Sequence, residues 1–437
     1  ILLKYNTFGT LQWGWPKTFG ETDAPKEDMA LAIALDQYGN IYLTGYSTGI
    51  DGRNNLIIVK YDFFGTRKWF RTEDGADDLD ARGSAITIDS WGNILATGYC
   101  TTYEGQNNII AVKYSGGGNL LWSNTYGGNS EDKAFGIVTD DGCNIYITGY
   151  TTVDPQTGNT DYITLKYSTS GSLLWYKTYN GNGNGENSED KAFGIVVDQA
   201  SSIYITGYAT DSLSMKDYVT IKYDSEGNQL WIASYNGTGN GDDKANAIGL
   251  LNDGNIVVTG ASWGTNNNDD YATVKYDASN GAQLQASRYS LNGVSEDVAK
   301  DVAASTTSSA VYITGYSELL INGPVPSTEI TTQMLSWGNR SELNTNNSIA
   351  QKFNLSQNYP NPFNPSTTIN FNIPQAADVK LTVYDMLGKV VDIIVNQHLE
   401  AGSYSINYTN KDLSSGIYFY ELRSGIFKDI KKMTLVK

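Results

Sequence analysis

Residues 131–181 read EDKAFGIVTDDGCNIYITGYTTVDPQTGNTDYITLKYSTSGSLLWYKTYNG, and residues 189–237 repeat that stretch almost phrase by phrase. Four short segments inside it alternate apolar and polar residues: Ala134–Asp140, Asn144–Tyr150, Asp161–Tyr167 and Leu173–Tyr179. Their β-branched and aromatic content reads as four strands, here called a to d, and the Gly and Asn residues between them read as turns.

Working outward, the same landmarks recur about every 50–55 residues, the period of a four-stranded repeat. Thr-Gly ends strand b at Thr44-Gly45, Thr97-Gly98, Thr148-Gly149, Thr206-Gly207, Thr259-Gly260 and Thr314-Gly315. Lys-Tyr ends strand c at Lys60-Tyr61, Lys113-Tyr114, Lys166-Tyr167, Lys222-Tyr223 and Lys275-Tyr276. Strand d carries Trp69, Trp122, Trp175 and Trp231, with Gln285 in the fifth unit. The sixth unit decays, with Gln333-Met334 where Lys-Tyr is expected. Upstream, Lys4-Tyr5 and Trp13 are the c and d landmarks of a unit whose a and b strands are missing.

A single four-stranded sheet cannot bury both faces, whereas a ring of them can. The expectation is therefore an all-β chain: a β-propeller of four-stranded blades over residues 1–343, a polar linker at 344–354, and a small Ig-like β-sandwich at 355–437. Blade number stays open. The N-terminal c and d strands could share a blade with the last unit and close a ring of six. Alternatively the ring has seven or more blades; the chain begins at Ile1, without an initiator Met, and reads as a fragment or processed form. The phrase D-x-x-G-N-I-Y-I-T-G-Y resembles the bacterial β-propeller repeat family labelled SBBP. That resemblance implies the fold and leaves activity open, because propellers host many functions.

The a–b and c–d turns keep constant length, whereas d–a loops vary, as in GNGNGENSED before strand a of the fourth unit. The b–c segment Thr151–Thr160 is also longer than its neighbours. Variable loops on a rigid scaffold are where binding usually sits, so a ligand belongs on the d–a/b–c side. Acid pairs recur there: Glu27-Asp28, Glu131-Asp132, Glu189-Asp190, Asp242-Asp243 and Glu296-Asp297, with Asp80 near the same place in the second unit. With strand a innermost, Asp28, Asp80, Asp132, Asp190, Asp243 and Asp297 form a candidate ring for a cation, calcium by ligand type. The competing reading makes each Asp a partner of its own turn backbone, and recurrence in every blade favours it. The run NGTGNGDD (236–243) lacks the tandem array of calcium-binding glycine repeats.

Tyr46, Tyr99, Tyr150, Tyr208 and Tyr316, which end strand b, have two readings as well: a stacking surface for sugars, or packing between blades. The strand-c lysines are expected between blades. The single histidine, His398, falls in a tail loop, and no Ser/His/Asp, Cys/His or histidine metal set is present. Net charge is −17; residues 346–437 carry 7 acids and 9 bases, leaving 40 acids and 21 bases in residues 1–345. Such an acidic body repels phosphate backbones, so nucleic acid is not an expected partner. No apolar run is long enough to span a bilayer. Cys100 and Cys143 fall at opposite ends of neighbouring blades and are expected to be unpaired.

The tail opens with FNLSQNYPNPFNPSTTINFNIP (353–374), in which prolines forbid helix. Short strands follow at Val379–Asp385, Val390–Val395, Gly402–Tyr408, Ser415–Arg423 and Phe427–Lys437. This segment resembles the type A C-terminal sorting domain of the type IX secretion system. The resemblance rests on Tyr359-Pro360-Asn361-Pro362-Phe363, Tyr384-Asp385 with Gly388, Gly402, Gly416 with Tyr418, and Lys432. It implies that the secretion machinery recognises residues 355–437, and that the protein is secreted or attached to the outer-membrane cell surface. The repeat domain is then cargo, expected to be a non-catalytic module that binds a glycan or a protein. A carbohydrate-active enzyme using carboxylates on the variable side and a structural envelope module are the alternatives.

Overall fold

The computed structural model describes all residues except 1, 6–9, 13–15, 18–26, 75–78, 129, 155, 182–187, 212–214, 266–267, 291–295, 305–309, 320–326, 337–343, 347–351, 376, 400–401, 410–412, 426 and 437. By internal contacts the chain divides into two compact units. One comprises Ile1–Leu250, Gly254–Asp301 and Gly315–Ile330; the other comprises Leu251–Asp253, Val302–Thr314 and Thr331–Lys437.

The repeats fold as the alternating pattern requires. Five consecutive antiparallel sheets each contain four strands in the order a-b-c-d, and the sixth unit contributes a three-stranded sheet. In the third sheet the strands are Asp132–Thr139, Ile145–Asp154, Asn159–Tyr167 and Leu173–Tyr179. Strands b and c are buried almost throughout, as in Ile145, Tyr146, Ile147, Ile163 and Leu165, while strand d alternates exposed and half-buried residues. Strand a of one sheet neighbours strand a of the next: the rings of Phe135 and Phe193 lie 5.0 Å apart. All of this is the propeller-like body the repeat implies.

The Thr-Gly landmark has a steric cause. Strand a bulges opposite it, for example between Ala30 and Ala32 and between Ala192 and Gly194. The bulge drives a strand-a carbonyl against strand b. A Cβ on Gly45, Gly98, Gly149 or Gly207 would lie 1.9 Å from that oxygen, so no side chain fits. The preceding Thr turns its hydroxyl to strand c, where Thr44 donates to the Ile57 carbonyl (2.9 Å) and Thr97 to that of Ile110 (2.8 Å).

The a–b turns need a left-handed residue, which is Gly39, Gly92 and Gly254 in three units. Cys143 (φ 60°) and Ser201 (φ 59°) hold the same position without that freedom. Ahead of it, the Asp of D-x-x-G-N closes the turn. Asp36 accepts from the backbone N–H of Tyr38 and Asn40, the Asn40 amide and the Tyr42 hydroxyl. Asp140 and Asp198 likewise accept from Tyr146 and Tyr204. Where the second unit has Leu95 in place of that Tyr, Lys113 fills the vacancy with a buried ion pair to Asp89 at 2.9 Å. In the fifth unit both partners change together, to buried Leu251 and Val257, the replacement that leaves no orphaned polar group.

Neighbouring sheets are joined by one repeated strut. The strand-c Lys and the strand-d Trp of one sheet both donate to a single carbonyl in the next sheet's c–d turn. Lys60 and Trp69 meet the Gly116 oxygen at 3.1 and 3.3 Å. Lys113 and Trp122 meet Thr169, Lys166 and Trp175 meet Ser225, and Lys222 and Trp231 meet Ala278. Lys4 repeats the lysine half by donating to the Phe63 carbonyl at 3.0 Å, as its place in a partial unit requires. Trp13 and strand d of the sixth unit lie outside the described residues.

The tail forms two four-stranded sheets around one core, which includes Phe363, Phe371, Val383, Ile406, Tyr420, Leu422 and Met433. Three sequence expectations are corrected. Asn344–Asn346, assigned to the linker, pairs with Gly402–Thr409 as an edge strand, and Asn354–Leu355 pairs with Ser366–Ile373. His398 is in the strand Val390–Leu399, opposite Asp378, and not in a loop. In the body, the long Thr151–Thr160 segment is mostly strand: it extends strands b and c, with Thr151 opposite Asp161 and Thr152 opposite Thr160. Backbone pairing over the extra residues offsets the length that marked a loop.

Candidate functional site

The d–a/b–c side takes its shape from the acid pairs. The second acid of a pair is buried: Asp132 is 2% exposed, and Asp190, Asp243 and Asp297 are 0%. Asp190 accepts from the N–H of Gly181 (2.6 Å), at the start of the d–a loop, and from Thr210 (2.8 Å), at the end of strand b. Asp243 does the same with Gly237 (2.6 Å) and Trp263 (2.9 Å). Each carboxylate thereby clips a loop to a strand. The glycines of 236–243 are shaped by Trp263, whose ring a Cβ on Gly239 or Gly241 would strike at 2.7 or 2.5 Å.

Asp80 stands in the register of the first acid. Thr101 N–H bonds to its carbonyl as Thr152 N–H does to that of Glu131. Its side chain accepts from Asn54 N–H as Asp242 accepts from Lys216 N–H. The buried position in that unit is Ala81, which is 0% exposed. Asp28, at the start of the first sheet, is half-buried. The first acids work in ion pairs: Glu189 with Lys191 and Lys216, Glu131 with Lys133. Despite its burial, the two lysines hold the Glu189 carboxyl down at about 2.

The six aspartates therefore sit one to a repeat unit, each at or beside the start of strand a. Among the described residues no three ligating side chains come together in the way a cation would require. A second set of polar residues, missed from the sequence, occupies strand c five residues before the strut lysine: Asn55 and Asn108, then the acids Asp161, Asp217 and Asp270. Asp161 is 7% exposed. Thr160 forms a parallel bridge with Glu189, with Asp190 N–H donating to the Thr160 carbonyl at 2.9 Å. That places Asp161 and Asp190 at the next step of both chains. Burial, then the charge of Asp190, pushes Asp161 up to about 6. Burial, then Asp211 and Asp243, does the same for Asp217. Burial also raises Asp132, Asp190 and Asp243. The signal was available: one register position is Asn in the first two units and Asp in the next three.

The strand-b tyrosines are covered rather than displayed. Tyr46, Tyr150 and Tyr208 are 4, 6 and 7% exposed. Arg82 lies 4.4 Å over Tyr46, Lys133 4.8 Å over Tyr99 and Lys191 4.9 Å over Tyr150, each cation coming from the next sheet's strand a. Cys100 and Cys143 are both buried and free, and burial pushes the Cys100 thiol up to about 11.

In the tail, the Tyr359–Phe363 segment is latched to the last strand. Phe363 fills the core at 2% exposure, and its N–H donates to the Thr434 carbonyl at 2.9 Å. The Asn361 amide donates to the Lys432 carbonyl (3.2 Å), and its oxygen accepts from Thr434 N–H (2.9 Å). Buried Asn358 holds the Pro360 carbonyl and the Thr367 hydroxyl. The rest of the motif divides by exposure. Asp385 closes a turn by accepting from Leu387 and Lys389 N–H, and Gly388 there has a φ of 80°. Gly402 and Gly416 open strands, and the Tyr418 hydroxyl donates to the Ser414 carbonyl. Tyr384 is half-buried; Tyr359, at 80% exposed, Pro360, Pro362 and Lys432 face outward.

Comparison with known proteins bears mainly on this tail. Residues 357–436 match the family described as the secretion system C-terminal sorting domain. An uncharacterized WD repeat-containing protein of Acanthamoeba polyphaga mimivirus is 28% identical over 173 residues, which is 36% of this chain and 11% of that protein. Among solved structures, PorZ is described as an essential bacterial surface component of the type IX secretion system of Porphyromonas gingivalis. It is 11% identical with a TM-score of 0.42, covering 93% of this chain and 52% of its own. A quinohemoprotein alcohol dehydrogenase from Comamonas testosteroni is 9% identical with a TM-score of 0.41, covering 94% and 64%. The chain thus spans about half the length of PorZ and a small part of the viral protein. No helix among the described residues is long and apolar enough to cross a membrane.

Proposed function

We propose that the chain is a type IX secretion cargo: a secreted or surface-attached protein whose SBBP-like repeat body is a non-catalytic binding module for a glycan or another protein. The observation that carries the reading is the sorting-domain match of residues 357–436. The folded tail supports it, because the matched segment has its own core and turns Tyr359 and Lys432 outward. The body supports the binding half. The buried acids before strand a recur from unit to unit, and Asp190 and Asp243 are tied to backbone N–H groups, unlike the two specially placed carboxylates that glycoside hydrolysis uses. The ligand side is the d–a/b–c side, where the repeats differ most in length. In a host with a working type IX system, the full chain should reach the cell surface or medium, and the chain lacking residues 344–437 should stay inside. Equal export of both would overturn the reading.

A further inference from the structure

The five boundaries between successive sheets carry a graded set of acids at one geometric position. The first pairs Asn55 with Ala81, and the second pairs Asn108 with Asp132. The third pairs Asp161 with Asp190, and the fourth pairs Asp217 with Asp243. The fifth pairs Asp270 with Asp297 and adds Arg288, which bonds Asp270 at 3.0 Å.

We propose that the third and fourth boundaries are proton-operated seams: Asp161 with Asp190, and Asp217 with Asp243, each share one proton when closed, and its loss loosens that boundary.

Among the described residues, the strand-c acid of each seam, Asp161 or Asp217, has no cation beside it. At the third, Asp190 spends its oxygens on the Gly181 and Thr210 N–H groups, and nothing comparable favours the charge of Asp161. The other groups facing the pair are Tyr162, Tyr179, Tyr208 and Glu189; the lysines nearby, Lys191 and Lys216, are bound to Glu189. At the fourth, Asp217 buries one oxygen with no hydrogen-bond partner. It faces Asp211 and Asp243. Around Asp243 stand Tyr218, Asp269, Asp242 bound to Lys244 at 3.2 Å, and Arg288, which bonds Ser262 and Asp270 and whose charge favours the ionised form of Asp243 but not of Asp217. Two like charges in one desolvated site cannot both ionise cheaply. The first two boundaries show that the fold accepts Asn at the same strand-c position.

The sign follows from linkage. An unfolded Asp titrates near ~3.9, whereas Asp161 and Asp217 titrate at about 6 in the folded chain. The folded state therefore binds more protons between those values. The stabilisation is fully present below the lower value and is lost as pH rises through the higher one.

The test is thermal unfolding of the full chain from pH 5 to pH 8 in chelator, with Asp161→Asn/Asp217→Asn and Asn108→Asp beside the wild type. The wild-type Tm should fall as pH rises, with its midpoint near the titration of the pair. The double variant should lose most of that fall and melt higher than wild type at pH 8. Asn108→Asp, which builds a second acid into the second boundary, should steepen the fall. An unchanged slope in the double variant, or millimolar calcium restoring the wild-type Tm at pH 8, would overturn the proposal; calcium rescue would make the occupant a cation. If the double variant does not fold, hydrogen exchange of wild type decides. After correction for intrinsic rates, Lys191–Val197 and Asp243–Leu250 should lose protection from pH 5 to 8 relative to Asp132–Thr139. Equal loss in all three strands would overturn it.

Discussion

The repeat body and the tail are both all-β, yet they are stabilised in opposite ways. In the body, each device recurs: the Thr-Gly clash, the Asp–Tyr turn and the Lys–Trp strut appear sheet after sheet. In the tail each device appears once, and the first motif residues are tied to the last strand across 71 positions by Asn361 and Lys432. A body made of nearest-neighbour contacts tolerates local loss, because damage is shared among similar boundaries. A sandwich closed end to end has no second copy of its latch.

The comparison can be broken most sharply at Lys113, whose ammonium pairs with the buried Asp89 carboxylate beside the Trp91 and Asn93 N–H groups and the Asn93 amide, with side chains 2 and 0% exposed for Lys113 and Asp89. Lys113→Met leaves Asp89 charged and should cost ~3–5 kcal/mol. The replacement Asp89→Leu/Lys113→Met removes both charges and should recover most of it, and the fifth sheet already carries Leu251 at the Asp position; denaturant unfolding measures both. In the tail, Phe363→Ala should cost ~3–5 kcal/mol by emptying core volume. Its effect should appear as a separate transition belonging to the tail, with the body's midpoint unchanged. Next in size, Gly149→Ala puts a Cβ 1.9 Å from the Lys133 carbonyl and should cost ~3 kcal/mol by overpacking. Local hydrogen exchange should show the loss centred on the third sheet. The smallest effect has the opposite sign. Ser201→Gly relieves a left-handed non-glycine residue and should raise stability by ~0.5–1 kcal/mol.

Much of this was legible in the sequence, and for a physical reason. Strands b and c are held by short-period patterning and by residues whose roles are steric, so NIYITGY and DYITLKY announce themselves in every copy. The strut lysines were readable as inter-sheet contacts because they recur at one strand-c position in unit after unit. What escaped was relational. Asp161 looks like an ordinary strand residue until Thr160 is seen bridged to Glu189 in the next unit. Asp80 looked equivalent to Asp28 because both are acids before strand a, and only the Thr101 hydrogen bond fixes its register. The edge strand at Asn344–Asn346 was hidden by a polar composition that reads as linker, since an edge strand needs backbone pairing more than apolar residues. The expected strand ended at Val395 and left His398 in a loop, yet the backbone keeps pairing, Gln397 with Val379 and His398 with Asp378.

The proposed function requires a body that displays and a tail that delivers. The most direct measurement compares Tyr359→Ala with Lys113→Met in a type IX-competent host, scoring surface-accessible protein as a fraction of the folded total. Tyr359 is exposed and outside the core, so its loss should leave the tail's melting temperature unchanged while export falls steeply. Lys113→Met should weaken the body and leave the exported fraction of folded chain near wild type. If Tyr359→Ala is exported normally and Lys113→Met is not, delivery depends on the body, and the division of labour assigned here is contradicted.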